Sequence, residues 1–232
     1  MKYSYYEVYI TALRTFSGMG FPHGADEDAA FIISWLELNN LNGIKLLVNS
    51  IQKIDNRYDG KINVKNNQFT FDLKNSSILM KGPTLVDYLK FKFEKQKKIE
   101  ITVNNIDNAY YFLPLLYKYS NKIFSKLSCI NSKNKEMSYL FINNTMKVGM
   151  TSNSINLKKN QVKISISNKK DSFNLDKIKE EKTLDTIQKN LSKSLSPNIE
   201  DWKMIEKIAN KTFVPESEES RKKGAGGIDD ND

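Results

Sequence analysis

Two stretches hold the residue types that could do chemistry, and they stand at opposite ends of a 232-residue chain. Near the C-terminus come Ser220 and Arg221, then Gly224, Gly226 and Gly227, then Asp229, Asp230 and Asp232. An arginine fork beside a serine hydroxyl and bare glycine amides can wrap a carboxylate or phosphate, as a backbone nest does. The aspartates behind them can hold a hard cation or a ligand amine. Near the N-terminus, Gly20-Phe-Pro-His-Gly24 precedes Asp26, Glu27 and Asp28. The single histidine, His23, could act as a base or hold an anion at a helix N-terminus. An isolated histidine in a turn is more often only a polar turn residue, and that reading is favoured. The expected ligand site joins the two ends: Glu27, Ser220, Arg221, Gly224, Gly226, Asp230 and Asp232. In it Arg221 clamps an acidic group, while Glu27 and Asp230 orient the ligand or exchange protons. No catalytic residue is assigned, no metal ligands are expected, and the cofactor is left open.

Other motifs read as structure. One histidine and one cysteine give no zinc spacing. Cys129 lies in an expected strand with no neighbouring base, so it should be buried and inert. Gly18-x-Gly20 precedes a helix but follows another helix and lacks a third glycine, so it is no dinucleotide fingerprint. The lysine-aromatic stretch from Tyr88 to Lys98 could stack bases but reads better as an amphipathic helix with a solvated basic face.

The net charge of +9 suggests a polyanion partner, but 33 of the 36 basic residues are lysines. Arginine supplies the planar fork for phosphate and guanine, and lysine does not. Abundant Lys, Asn and Ile together read as compositional drift, which argues against nucleic acid. One cysteine excludes an internal disulfide and suggests a reducing compartment. The opening residues lack the apolar run of a signal peptide, and Ala109–Leu116 is too short to span a bilayer. The expectation is a cytoplasmic protein with no membrane partner.

The elements that must position these groups are legible from periodicity. Ser4 and Glu7 form a capping box ahead of a first helix that Gly18 and Gly20 end. A second helix starts at Ala25, with its acidic first turn suited to the helix dipole. A third carries Ile44, Leu47, Val48, Ile51 and Ile54 on one face. Phe69, Phe71 and Leu73 alternate as a strand, and Asn75–Ser77 should turn it back into a second strand, Ile78–Lys81. Pro83 and Thr84 then open a helix. Ile99, Ile101 and Val103 form another strand, and Asp107–Tyr119 is helical around Pro114. A meander of runs at 123–130, 139–142, 146–150, 155–157 and 162–166 follows. Beyond Asp171 a helix should carry Leu184, Ile187, Leu191 and Leu195. Ser196-Pro197 should start a last helix with Trp202, Ile205, Ala209 and Phe213 inward. The expected fold is α+β. Its parts are an N-terminal three-helix unit (1–55), a mostly antiparallel sheet with two helices (56–172), C-terminal helices (173–214) and an ordered glycine-rich acidic tail (215–232). All four should form one compact domain.

Two resemblances sit on these residues. Arg14, Gly18, Gly20, Gly24, Glu27, Asp28, Ala29, Trp35 and Leu36 resemble the start of an uncharacterised bacterial domain-of-unknown-function family. Thr212 to Pro215, Ser220, Arg221, Gly224 to Gly226 and Asp230 to Asp232 resemble its end, with one residue fewer in the glycine run. His23 stands where that family has Trp and Ser34 where it has Arg, so neither takes a family role. The resemblance implies a bacterial cytoplasmic protein and an ordered tail, and brings no activity. The first fifty residues also look like the helical start of malate/lactate-type dehydrogenases that lack a Rossmann fold. Those continue after the glycine matching Gly43 into a catalytic Ser-His-Gly. Here Ile-Lys-Leu-Leu follows, so the resemblance carries little weight for activity.

The functional expectation is a protein that binds or transforms a small anionic metabolite where the tail meets the turn before the second helix. The alternative is a non-enzymatic accessory subunit whose tail docks on a partner or on a second protomer.

Overall fold

The computed structural model describes residues 1–64, 69–74, 76–121, 123–130, 135–150, 157–169, 177–182 and 189–213. Ser4 opens the first helix, α1 (Tyr5–Gly18). Its hydroxyl accepts from the Glu7 amide at 3.2 Å, and the Glu7 carboxylate accepts from the Ser4 amide at 2.7 Å. Two orphan donors are thereby satisfied reciprocally. Gly20 and Gly24, at φ +80° and +87°, make the turn into α2 (Ala25–Leu38), and α3 (Gly43–Ile54) follows after left-handed Asn40 and Asn42.

In place of the expected apolar stripe, α2 is buried on nearly every side. Ala29, Ala30, Ile32, Ile33, Ser34 and Leu36 are fully buried, and Trp35 nearly so. Helices must therefore close on it from several directions; Gly43 lets α3 do so, while Gly18 lets the last helix approach α1. A Cβ on Gly43 would stand 2.1 Å from the Ile33 carbonyl oxygen. One on Gly18 would stand 2.7 Å from the Ile208 carbonyl oxygen. The Glu37 carboxylate caps α3, accepting from the Ile44 amide at 3.0 Å.

Seven strands form one sheet: β1 (Thr70–Asp72), β2 (Lys98–Asn104), β3 (Phe124–Ile130), β4 (Glu136–Ile142), β5 (Thr145–Met150), β6 (Gln161–Ser167) and β7 (Lys177–Lys182), in the order β1-β2-β6-β3-β4-β5-β7. All described pairs are antiparallel except β1 with β2. Ile101, Ile164, Leu127 and Tyr139 lie in register across the buried face, on which α4 (Ile78–Gln96) and the short α5 (Phe112–Tyr117) pack. The fold is α+β, with the antiparallel sheet expected.

Several details differ from the sequence reading. Ile78–Lys81 is not a return strand but the first turn of α4. β1 runs parallel to β2, and parallel neighbours require a crossover that a hairpin cannot supply. Ser77 accepts from the Leu79 amide and Asp107 accepts from the Ile78 amide, so the helix starts five residues before Pro83. Asp107–Tyr119 resolves into a 3-10 turn at Ala109–Tyr111 followed by α5, with Pro114 in its first turns. The meander holds for β3, β4 and β5, but β6 returns to lie between β2 and β3. Lys177–Lys182, read as helical, is strand β7, because pairing with β5 overrides a segment without a clear apolar period. Leu195 makes a bridge with Tyr3 (amide to carbonyl 2.9 and 2.7 Å) and lies on no described helix, and Leu191 is exposed. Leu184, Ile187 and the run at 155–156 fall outside the described residues, as does the tail from 214.

The last helix, α6 (Ile199–Ala209), starts at Asn198, whose side-chain oxygen accepts from the Glu200 and Asp201 amides. Trp202, Ile205 and Ala209 are buried as expected, and Trp202 stacks on Tyr3 at 3.9 Å. Phe213, expected inward, is 52% exposed beneath the Arg14 guanidinium, 4.7 Å from its ring centre. The guanidinium covers what the core does not.

Gly43→Ala should lower unfolding stability by about 1–3 kcal/mol, because the added methyl has only backbone to push against. The check is a urea midpoint that falls with the slope unchanged.

Candidate functional site

The turn ahead of α2 opens onto a cleft. Pro22, His23, Ala25 and Asp28 form one wall; Leu79, Met80, Pro83, Thr84 and Asp87 of α4 form the other, with Tyr58 between them, around a cavity of about 290 Å³. Asp28, Pro83 and Asp87 also line an adjoining recess of about 80 Å³, which Lys118 and Tyr119 complete. The polar groups are coupled. The Tyr119 hydroxyl donates to Asp87 Oδ1 at 3.1 Å, and Lys118 Nζ stands 3.8 Å from Asp28 Oδ1. Lys90 Nζ lies 4.6 Å from the centre of the Tyr119 ring.

Burial raises the Asp28 carboxyl above the ordinary aspartate range, although the Lys118 ammonium pulls the other way. Burial, then the Asp87 charge, pushes the Tyr119 phenol up to about 12. Tyr58 is raised for the same two reasons, desolvation first and then Asp28. The cleft thus brings together two carboxylates, an ammonium and phenols that stay protonated at neutral pH. Such a set can fix a ligand's polar groups and hold protons beside them.

The three acidic residues of the first α2 turn have separate fates. Asp26 is buried and accepts from Ser17 Oγ at 2.7 Å, tying α2 to α1. Glu27 is half-exposed, 3.8 Å from His23 Nε2, and is not among the cleft-lining residues. Asp28 is the one that faces the cleft. The His23 side chain is 91% exposed and stands at the cleft mouth, ion-paired only through Glu27. Ser220, Arg221, Gly224, Gly226, Asp230 and Asp232 lie outside the described residues. Asp28, Tyr58, Asp87, Lys118 and Tyr119 escaped the sequence reading because they come from α2, α4, the end of α5 and the stretch after α3. Asp28 reads only as part of the acidic first turn of α2, and the other four enter no candidate site.

Cys129 is buried in β3, and burial, with Glu136 nearby, pushes its thiol up to about 12, so it is no nucleophile. Among the described residues no group of His, Cys, Asp and Glu could hold a metal ion, and no helix is long and apolar enough to cross a membrane. Gly18 serves the α1–α6 contact, which accounts for half of the Gly-x-Gly pair without any phosphate.

The segment after Gly43 is the first turn of α3. Ile44 and Leu47 are in the core there, 1% and 0% exposed. No imidazole stands at that place, and His23 lies beyond the far end of α2, roughly 20 Å away along a 14-residue helix.

Residues 3–76 match a family described as protein of unknown function (DUF3726). No curated protein sequence matches the chain. Solved structures do match its fold. A putative malate/lactate dehydrogenase from E. coli superposes with a TM-score of 0.62 at 9% identity, covering 93% of this chain and 96% of that one. The sulfolactate dehydrogenase of Methanocaldococcus jannaschii gives 0.61 at 9%, over 91% and 97%. The malate dehydrogenase of Entamoeba histolytica gives 0.57 at 10%, over 93% and 99%. The shared property is the fold.

Asp87→Asn should lower the Tyr119 pKa from about 12 without returning it to the ordinary value, since burial, the larger cause, remains. Titration of 13C-labelled tyrosine ring carbons by NMR reads this directly, and an unmoved Tyr119 would refute the coupling.

Proposed function

We propose that this protein binds a small anionic metabolite in the cleft ahead of α2, with the C-terminal stretch closing over it, and holds it there for transformation or transfer. The observation that carries the reading is a convergence. Phe213 lies against Arg14 on α1, and α1 runs directly into the turn that borders the cleft. Arg221 then clamps the ligand's acidic group, with Ser220 and the Gly224 and Gly226 amides around it. Glu27, Asp230 and Asp232 flank it, and Asp28 and the Tyr119 hydroxyl, which donates to Asp87, line the inner side. The shared fold supports the ligand class, since malate and sulfolactate dehydrogenases are named for small anionic hydroxy acids. Fold alone does not carry activity, and residues at the site must. The setting is a bacterial cytoplasm.

A second reading has a specific observation behind it. Going by the sequence resemblance, the apolar first turn of α3 stands where those dehydrogenases would continue into Ser-His-Gly. An accessory subunit with that fold, its C-terminal stretch docked on a partner or second protomer, needs no imidazole.

Thermal unfolding with malate, lactate and sulfolactate separates the two. A ligand at a hundred times its Kd should raise Tm by about 5–10 °C. The rise should disappear in Arg221→Ala and in a chain ending at Pro215. Equal stabilisation without the last residues would remove the proposed site. A change in particle size on truncation, with no ligand effect, would establish the accessory role instead.

A further inference from the structure

The two sides of α4 differ in what they offer. Leu85, Leu89 and Phe93 are buried in the core, while Phe91 is 53% exposed with Lys90 and Lys92 beside it and Lys95 one turn on. The nine positions from Lys90 to Lys98 hold five lysines and one acid, Glu94. We propose that this end of α4 is a contact surface for anionic lipid headgroups, with the lysines on the phosphates and Phe91 in the interfacial layer. Phe91, Lys95, Lys97 and Lys98 line neither cavity of the cleft ahead of α2, so the proposal holds or fails independently of the reading above.

Uncompensated charge is the first argument. Lys90, Lys92, Lys95 and Lys97 have no carboxylate within ion-pairing distance among the described residues. Lys98 acts on Glu100, whose ion pair is made with Lys163 at 2.7 Å. Lys169 joins the group from the end of β6, where the Asn168 amide donates to the Lys97 carbonyl at 3.3 Å, and its side chain is exposed.

Exposed rings among those charges are the second argument. Phe71 of β1 meets the Tyr88 ring at 5.8 Å. Phe69, two residues earlier and 50% exposed, therefore falls about one turn further along α4, near Phe91 and Lys92. Lys95 Nζ stands 4.6 Å from the centre of the Phe91 ring, Lys92 Nζ 5.6 Å from Tyr88 and Lys90 Nζ 4.6 Å from Tyr119. Rings already covered by an ammonium are poor platforms for stacked bases, and the cluster holds no arginine fork for phosphate or guanine. A lipid surface presents diffuse negative charge, which point ammoniums meet, and an aromatic ring sits in the layer beneath them. Such a contact needs no spanning helix, so the shortness of the apolar runs does not bear on it. The plainer role is a solvated helix end whose lysines complement the α4 dipole.

The test is co-sedimentation of the full-length protein with vesicles of phosphatidylcholine, with and without phosphatidylglycerol. Binding is expected only with the anionic lipid and should fall steeply as added salt screens the attraction. Lys95→Gln, Lys97→Gln and Lys98→Gln together should weaken it about fivefold per lysine, or about a hundredfold. Lys203→Gln, Lys207→Gln and Lys211→Gln remove the same charge from exposed positions in and just after α6, and should change binding far less. All six lysines are exposed, so unfolding midpoints should stay within the range of surface substitutions. Phe91→Trp should shift its emission to the blue on binding, against Trp35 and Trp202, which are each only 3% exposed. No binding to anionic vesicles, equal binding to neutral ones, equal losses from the two lysine triples, or an unmoved Phe91→Trp emission would overturn the proposal. A single-stranded oligonucleotide that binds more tightly and displaces the vesicles would also overturn it, and would make this a nucleic-acid surface.

Discussion

The structure depends on one helix being buried over nearly all of its surface. α2 buries Ala29, Ala30, Ile32, Ile33, Trp35 and Leu36, so α1, α3, α4 and α5 must all reach it. Helices can come that close only where side chains are missing, which is what Gly43 supplies against the Ile33 carbonyl. Two of the polar groups caught inside show how they are satisfied. Ser34 bonds the Tyr5 hydroxyl and the Phe31 carbonyl, and Thr15 on α1 bonds the carbonyls of Thr11 and Ile205. The second of those Thr15 bonds fastens α6 across α1. The central packing thus fixes where α6 lies as well as where the cleft opens.

A buried carboxylate plays the matching role at the sheet. Asp107, just after β2, binds the start of α4 through Ser77 and Ile78 and the 3-10 turn through Asn108. Burial raises its carboxyl above the ordinary range more strongly than these donors lower it. The N-terminus of α4, an otherwise available anion site, is therefore closed by the protein's own side chain.

The fold and the site give different information about function. The chain superposes on dehydrogenases of hydroxy acids over most of its length, yet isoleucine and leucine fill the first turn of α3. A scaffold does not fix the chemistry done on it, because packing and catalysis are set by different residues. The polar cleft ahead of α2 is a feature of this chain's own side chains.

Local patterns determined much of this by themselves. The Ser4–Glu7 capping box, the limits of α1, α2 and α3, the alternation in β2, β3, β4, β5 and β6, and the inert Cys129 all follow from residue type and spacing, which act within a few positions. Charge and cap chemistry also located the turn before α2 as a place of interest. Tertiary structure decided the rest. Ile78–Lys81 became helix because β1 lies parallel to β2, and Lys177–Lys182 became strand because β5 offered an edge. Asp28 rather than Glu27 faces the cleft because α2 is turned by its burial, not by its charge pattern. Asp87, Lys118 and Tyr119 meet Asp28 only once α4 and α5 are laid on the sheet, and the Thr15 hydroxyl meets the Ile205 carbonyl across 190 residues of chain. Contacts of that range leave no periodic trace in a sequence, since nothing about either partner's neighbours changes when they meet.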